Sequence, residues 1–251
     1  MEPTRLLVIQ PDESDPIGPL GDWLTDAGAE LDLRLPPRDS LPENLDGYRG
    51  LVVLGGGMDA EDDRNHPWLA DVRRLLASAT GAGLPTLAIC LGAQLLAVAT
   101  GGTVGRSEHG AEIGARLVSK KDVAWIDPLF AELPLVPDVM QFHQDEIRRL
   151  PPGAELLASA PSYPNQAFRL NRCVYGVQFH IETTPEVVLD WARDAPELAA
   201  LAREGAFEIE TLTQVHADIA ETWRPFAERF VRLAQGQLEP AADPTRTLPL
   251  V

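Results

Sequence analysis

Residues 85–97, PTLAICLGAQLLA, join an apolar run directly to a string of helix formers. A buried strand that turns at once into a helix belongs to a layered fold of alternating strands and helices. At the turn stands Cys90, followed by Leu91 and Gly92. The residues two before and two after it, Ala88 and Gly92, are small. That spacing suits a tight elbow, in which bulky neighbours clash and one side chain is held out of the core. A helix N-terminus favours thiolate over thiol, so Cys90 is a candidate nucleophile. The N–H of Leu91 then points near the carbonyl under attack. An inert buried cysteine fits the same stretch.

The flanking chain repeats the alternation. RLLVIQ (5–10), LDLRL (31–35), GLVVLGGG (50–57) and PTLAIC (85–90) read as strands. Helices are expected over 18–31, stopping near Gly28, over 66–83 with Pro67 at the first position, and over 91–102. From 103 to 180 short strand-like runs dominate, EIGARLV, VMQFH, ELLASA, QAFRL and VYGVQFH, which predicts an antiparallel excursion before a last core strand. TTPEVVLDWARD (183–194) opens a helix with threonine at its cap. The expected fold is α/β: three layers, a mostly parallel central sheet with helices on both faces, flavodoxin-like. Domain organisation is read as a core over 1–194, an acidic helical extension over 195–236 and a loosely attached tail over 237–251. In the extension Ile209, Leu212, Val215, Ile219 and Trp223 recur at helical spacing, and Pro225 is expected to kink or restart the helix.

Composition narrows the function classes. A net charge of −17 repels nucleic acid and anionic membranes at long range. No apolar run reaches the roughly 18 residues of a membrane span, and MEPTRLLVIQ lacks the basic start and long apolar core of a signal peptide. A cytoplasmic protein with no membrane partner is expected. Two cysteines, Cys90 and Cys173, exclude a disulfide scaffold.

A thiolate needs a base. In YGVQFHIETTPE (175–186) His180 ends a strand-like run and Glu182 follows two residues on, on the same face of an extended chain. A carboxylate bonded to one imidazole nitrogen leaves the other for Cys90. A surface histidine beside a helix-capping glutamate, or two metal ligands, fits the same pair, but no third ligand stands at a suggestive spacing. Three glycines after GLVVL allow close approach of the backbone to a ligand, and an N–H there can pair with that of Leu91 as an oxyanion hole. A flexible turn is the plainer reading. No dinucleotide fingerprint or P-loop occurs, and no cofactor or metal is expected.

GGGMD, AICLGAQ and GVQFHIE, in this order and spacing over about residues 5–194, resemble the class I, triad-type glutamine amidotransferases, the family of the glutaminase half of GMP synthase. The resemblance implies a triad of Cys90, His180 and Glu182, oxyanion N–H groups from Gly56 and Leu91, and a contact from Gln94 to the substrate amide. It implies that QFHQDEI (141–147) receives the amino-acid end of glutamine near Gln144 and Asp145, and that nearby His143 is not the triad base. Ala88, Gly57 and Ile181 depart from the family's usual glycine, proline and proline. Gly57 is expected to loosen the oxyanion loop, and Ile181 to loosen the His–Glu geometry. No synthase module follows, so the implied function is a stand-alone glutaminase supplying ammonia to a separate synthase. A hydrolase of other γ-glutamyl amides or peptides is the alternative, and a non-enzymatic binding protein that keeps the fold is the third.

Overall fold

The computed structural model describes residues 3–36 and 38–242. The first part alternates β1 (Thr4–Ile9), α1 (Gly18–Asp26), β2 (Ala29–Arg34), β3 (Gly50–Val53), α2 (Leu69–Ala82), β4 (Thr86–Ile89) and α3 (Leu91–Ala99). Short strands follow: β5 (Thr103–Arg106), β6 (Glu112–Leu117), β7 (Ser119–Lys120), β8 (Asp138–His143), β9 (Asp145–Arg149), β10 (Glu155–Ser159), β11 (Ala167–Leu170) and β12 (Val174–Val177). Helices α4 (Pro185–Asp194), α5 (Pro196–Ala199) and α6 (Ile209–Ala234) come last.

The central sheet has the order β2-β1-β3-β4-β12-β11-β10-β7. From β2 to β12 neighbours are parallel, and β11, β10 and β7 extend the sheet antiparallel. Residues 6–9, 51–53 and 87–89 have no exposed surface. Their unbroken apolar runs are what strands covered on both faces require. Helix α2 packs against α3, and α1 against α6. The pairs β5–β9 and β6–β8 stand apart from the sheet as the antiparallel excursion.

This order places the site. The chain leaves β1 toward β2 on one side and, on the other, continues through β3, β4 and β12. Ligand sites of open α/β sheets lie at the carboxyl ends of strands flanking such a reversal. The segments after β1, β3, β4 and β12 carry Asp12 and Asp15, the three glycines, Cys90, and His180 with Glu182.

Several boundaries differ from expectation. Helix α2 starts two residues after Pro67, because His66 and Trp68 are used in turns whose carbonyls take the N–H groups of Leu69 and Val72. Helix α6 runs unbroken through Pro225. Pro225 lies on the exposed side between buried Trp223 and Phe226, so the carbonyl it leaves without a partner faces water. Of the expected stripe, Leu212, Ile219 and Trp223 are buried and Ile209 is exposed. Trp223 also donates to the Asp138 carbonyl at 2.8 Å, fastening α6 to β8. Ala241 is paired with Arg172 through its N–H at 3.0 Å and its carbonyl, so the first residues of the expected tail are held. Residues 243–251 lie outside those described.

Candidate active site

Cys90 has φ 50° and ψ −109°, left-handed backbone that costs a side-chain-bearing residue about 1–3 kcal/mol. The surroundings hold it there. Its N–H donates to the Val177 carbonyl at 2.8 Å, and the Gly92 N–H donates to Leu54 at 3.2 Å. A Cβ at residue 92 would stand 2.3 Å from the Val53 carbonyl oxygen, so only glycine lets α3 leave β4 this closely. The turn delivers the thiol to a cavity of about 410 Å³ that His180, Gly56 and Gln94 also line.

His180 does not continue β12, which stops at Val177. It sits in an isolated bridge to Met140, its N–H donating to the Met140 carbonyl at 2.8 Å. The imidazole Nδ1 and Glu182 Oε1 are 2.6 Å apart, and both residues are 1% exposed. With Nδ1 taken, Nε2 is the nitrogen left for the cavity. Trp191 tilts against the ring at 4.8 Å between centroids. Burial pulls the His180 pKa down, but the charges of Glu182 and Cys90 and their hydrogen bonds to the ring outweigh it, leaving it well above the usual 6.5. The geometry thus favours an imidazolium facing a thiolate.

Other expected residues meet at the same cavity. Gln94 Nε2 donates to the Asp145 carbonyl at 3.2 Å and to Gln178 Oε1 at 3.3 Å, and Gln178 reaches Cys90 Sγ at 3.8 Å. Gln144 and Asp145 line the wall opposite His180's partners. Burial and a hydrogen bond with Asp59 raise the Asp145 carboxyl to about 6, against the pull of Arg106 and His143. Among the described residues, no acceptor takes the N–H of Gly56 or Leu91. Cys173 lies elsewhere, its thiol bonded to the Gly83 carbonyl at 3.1 Å and pushed up by burial. No group of three or more potential metal ligands occurs among the described residues.

Sequence reasoning passed over three features. Asp15, 7% exposed, lines the cavity beside His180. A Cβ at residue 55 would lie 2.4 Å from Asp15 Oδ2 and 3.0 Å from His180 Cε1, so Gly55 is what lets the carboxyl stand against the ring. Burial raises Asp15 to about 7; His180 opposes this and Glu182 and Asp12 add to it. The second feature is His143, held by Asp145 O at 2.8 Å and Glu112 Oε2 at 3.2 Å. It is a second buried histidine–carboxylate pair, whose partner lies on another strand. The third is Gln178, which the sequence displays only as a letter within GVQFHIE.

Residues 23–189 match the family model described as glutamine amidotransferase class-I. The chain belongs to the class-I glutamine amidotransferase family. The smaller, glutamine-side relative among those matched is a chain of the glutamine-hydrolysing GMP synthase of Methanocaldococcus jannaschii, 34% identical over 132 residues, 52% of this chain and 63% of that protein. The match therefore spans less than two thirds of that relative. γ-Glutamyl peptidase 3 of Arabidopsis thaliana is 25% identical over 192 residues, 75% of this chain and 76% of that one. A solved glutamine amidotransferase of Thermotoga maritima superposes with a TM-score of 0.82 at 29% identity, covering 92% of this chain and 99% of that one.

The structure of this amidotransferase-family chain alters two expectations about its departures from the family pattern. The N–H that Ile181 has, and proline lacks, donates to Glu182 Oε2 at 2.8 Å, so it fixes the carboxylate. The glycine loop is also tied: the Gly57 N–H donates to Asp12 Oδ2 at 3.3 Å, and Ser14 donates to Oδ1 of the same carboxylate. Burial pushes the Asp12 pKa up, but these hydrogen bonds leave it below the ordinary value.

Proposed function

We propose that this protein hydrolyses γ-glutamyl amides through a thioester on Cys90. The observation that carries the reading is the strained cysteine at the head of α3, sharing one cavity with an imidazole that Glu182 fixes at 2.6 Å. The thiolate attacks the γ-carbonyl carbon, and the N–H groups of Gly56 and Leu91 receive the oxyanion. His180 gives its Nε2 proton to the leaving nitrogen, the C–N bond breaks, and ammonia or an amine departs. Water then attacks the thioester, losing a proton to His180. The C–S bond breaks, glutamate leaves, and Cys90 is restored. Gln94 and the backbone near Gln144 and Asp145 hold the glutamyl end.

Glutamine is the smallest substrate of this chemistry. The GMP synthase relatives support a glutaminase whose ammonia passes to a separate synthase. The γ-glutamyl peptidase relatives, and a cavity of about 410 Å³, within the range that takes ligands larger than a single amino acid, support a bulkier amide. The test is release of glutamate from glutamine and from γ-glutamyl dipeptides by purified protein, beside Cys90→Ala. Hydrolysis abolished by the substitution is expected. Hydrolysis that survives it overturns the proposal, as does none in the parent protein.

A further inference from the structure

The leaving nitrogen has to lie at His180 Nε2, the atom that hands over the proton. The glutamyl end lies the other way, toward Gln144 and Asp145. The wall on the His180 side therefore meets whatever is attached to the leaving nitrogen. Asp15 from the loop after β1, Trp191 and Asp194 from the end of α4, and Glu197 and Leu198 from α5 build that wall. It is anchored to the base: Trp191 rests on the imidazole, and its indole N–H donates to the Ser14 carbonyl at 2.8 Å.

The wall has one chemical character. Trp191 and Leu198 supply an apolar surface, and the charged groups are three carboxyls with no basic side chain among them. The guanidinium that lines the cavity, Arg106, is on the glutamyl side, 3.8 Å from Asp145. Arg193, beside Asp194 in sequence, pairs instead with Asp190 at 2.7 Å and does not line the cavity. A second, independent observation points to a ligand. Asp15 is more than nine-tenths buried, faces the cavity, and no hydrogen-bond donor reaches its carboxyl among the described residues. A buried carboxyl without a donor is costly unless a ligand brings one. An amine brings N–H groups to Asp15, an aliphatic spacer to Trp191 and Leu198, and a distal positive charge to Asp194 and Glu197.

We propose that the leaving group is an amine bearing a second, positively charged nitrogen, so that the substrate is the γ-glutamyl monoamide of a diamine. This rests on the γ-glutamyl hydrolase reading above. Water is the co-reactant: its oxygen joins the γ-carbon, the C–N bond breaks, and the amine leaves with the proton from His180.

The test compares kcat/KM for four substrates: γ-glutamyl monoamides of a four-carbon diamine, of n-butylamine and of a four-carbon ω-amino acid, and glutamine. The order expected is cationic above neutral above anionic. The cationic-to-neutral ratio should be roughly 2- to 30-fold, the range of two exposed ion pairs, and it should fall with added salt. In Asp194→Asn/Glu197→Gln the ratio should approach one. Equal or reversed rates among the three amides overturn this inference and leave the hydrolase reading standing, as does a ratio unchanged in the double variant. No hydrolysis of any of the four overturns both.

Discussion

Asp15 makes the folded chain lose stability as pH rises, and replacing it should reverse that loss. Its carboxyl stands at about 7 in the fold against an ordinary 3.8, with burial the largest cause. The folded chain therefore holds a proton that the unfolded chain releases between those values. The stabilisation is whole below about pH 3.8 and is lost as pH rises through about 7. At about 1.4 kcal/mol per pH unit the gap amounts to roughly 4 kcal/mol. Water entering the cavity reduces this, so about 1–4 kcal/mol is expected. Asparagine copies the shape of the neutral acid and does not ionise in either state. Asp15→Asn should match the parent protein near pH 4 and exceed it increasingly up to about pH 8. Urea unfolding at several pH values reads the difference as a midpoint shift at constant slope. A pH-independent difference would refute the reasoning, as would a parent protein that gains on the variant as pH rises. A carboxyl that weakens the fold at neutral pH is the kind of residue function retains.

Three further outcomes follow from the same contacts. His180→Ala should lose most turnover, and Glu182→Gln less. Because Glu182 helps keep the imidazolium charged, the fall of kcat/KM at high pH should move to lower pH in Glu182→Gln, which a pH–rate profile reads. Gly92→Ala should abolish turnover or soluble yield, since its Cβ meets the Val53 carbonyl at 2.3 Å; wild-type activity would show that the elbow has slack. Asp127→Ala should cost about 3–5 kcal/mol in chemical unfolding, because it strands buried Arg169, bonded to it at 2.8 Å.

The parallel half of the fold was legible because its strands are unbroken apolar runs closed by glycine, proline or helix formers, as at residues 50–57 and 85–97. The elbow was legible for a steric reason: small residues flank Cys90 on both sides. His180 and Glu182 could be paired because two residues apart in extended chain share a face. What stayed hidden depends on contacts distant in sequence. Asp15 sits in DESD, which reads as a solvated acidic loop until Gly55 brings it against His180. Glu112 lies 31 residues from His143, so that pair has no local signature. Pro225 signals a break in isolation, yet Trp223 and Phe226 on either side are buried in the core and α6 continues through it.

The central claim, that Cys90 is the nucleophile, is tested most directly by peptide mass mapping after treatment with an electrophilic glutamine analogue. One label per chain on the peptide containing Cys90 is predicted, with excess γ-glutamyl substrate slowing its appearance. Cys173, buried and bonded to the Gly83 carbonyl, should stay unlabelled. A label on Cys173 alone, or protein that turns over substrate while Cys90 remains unmodified, would contradict the account.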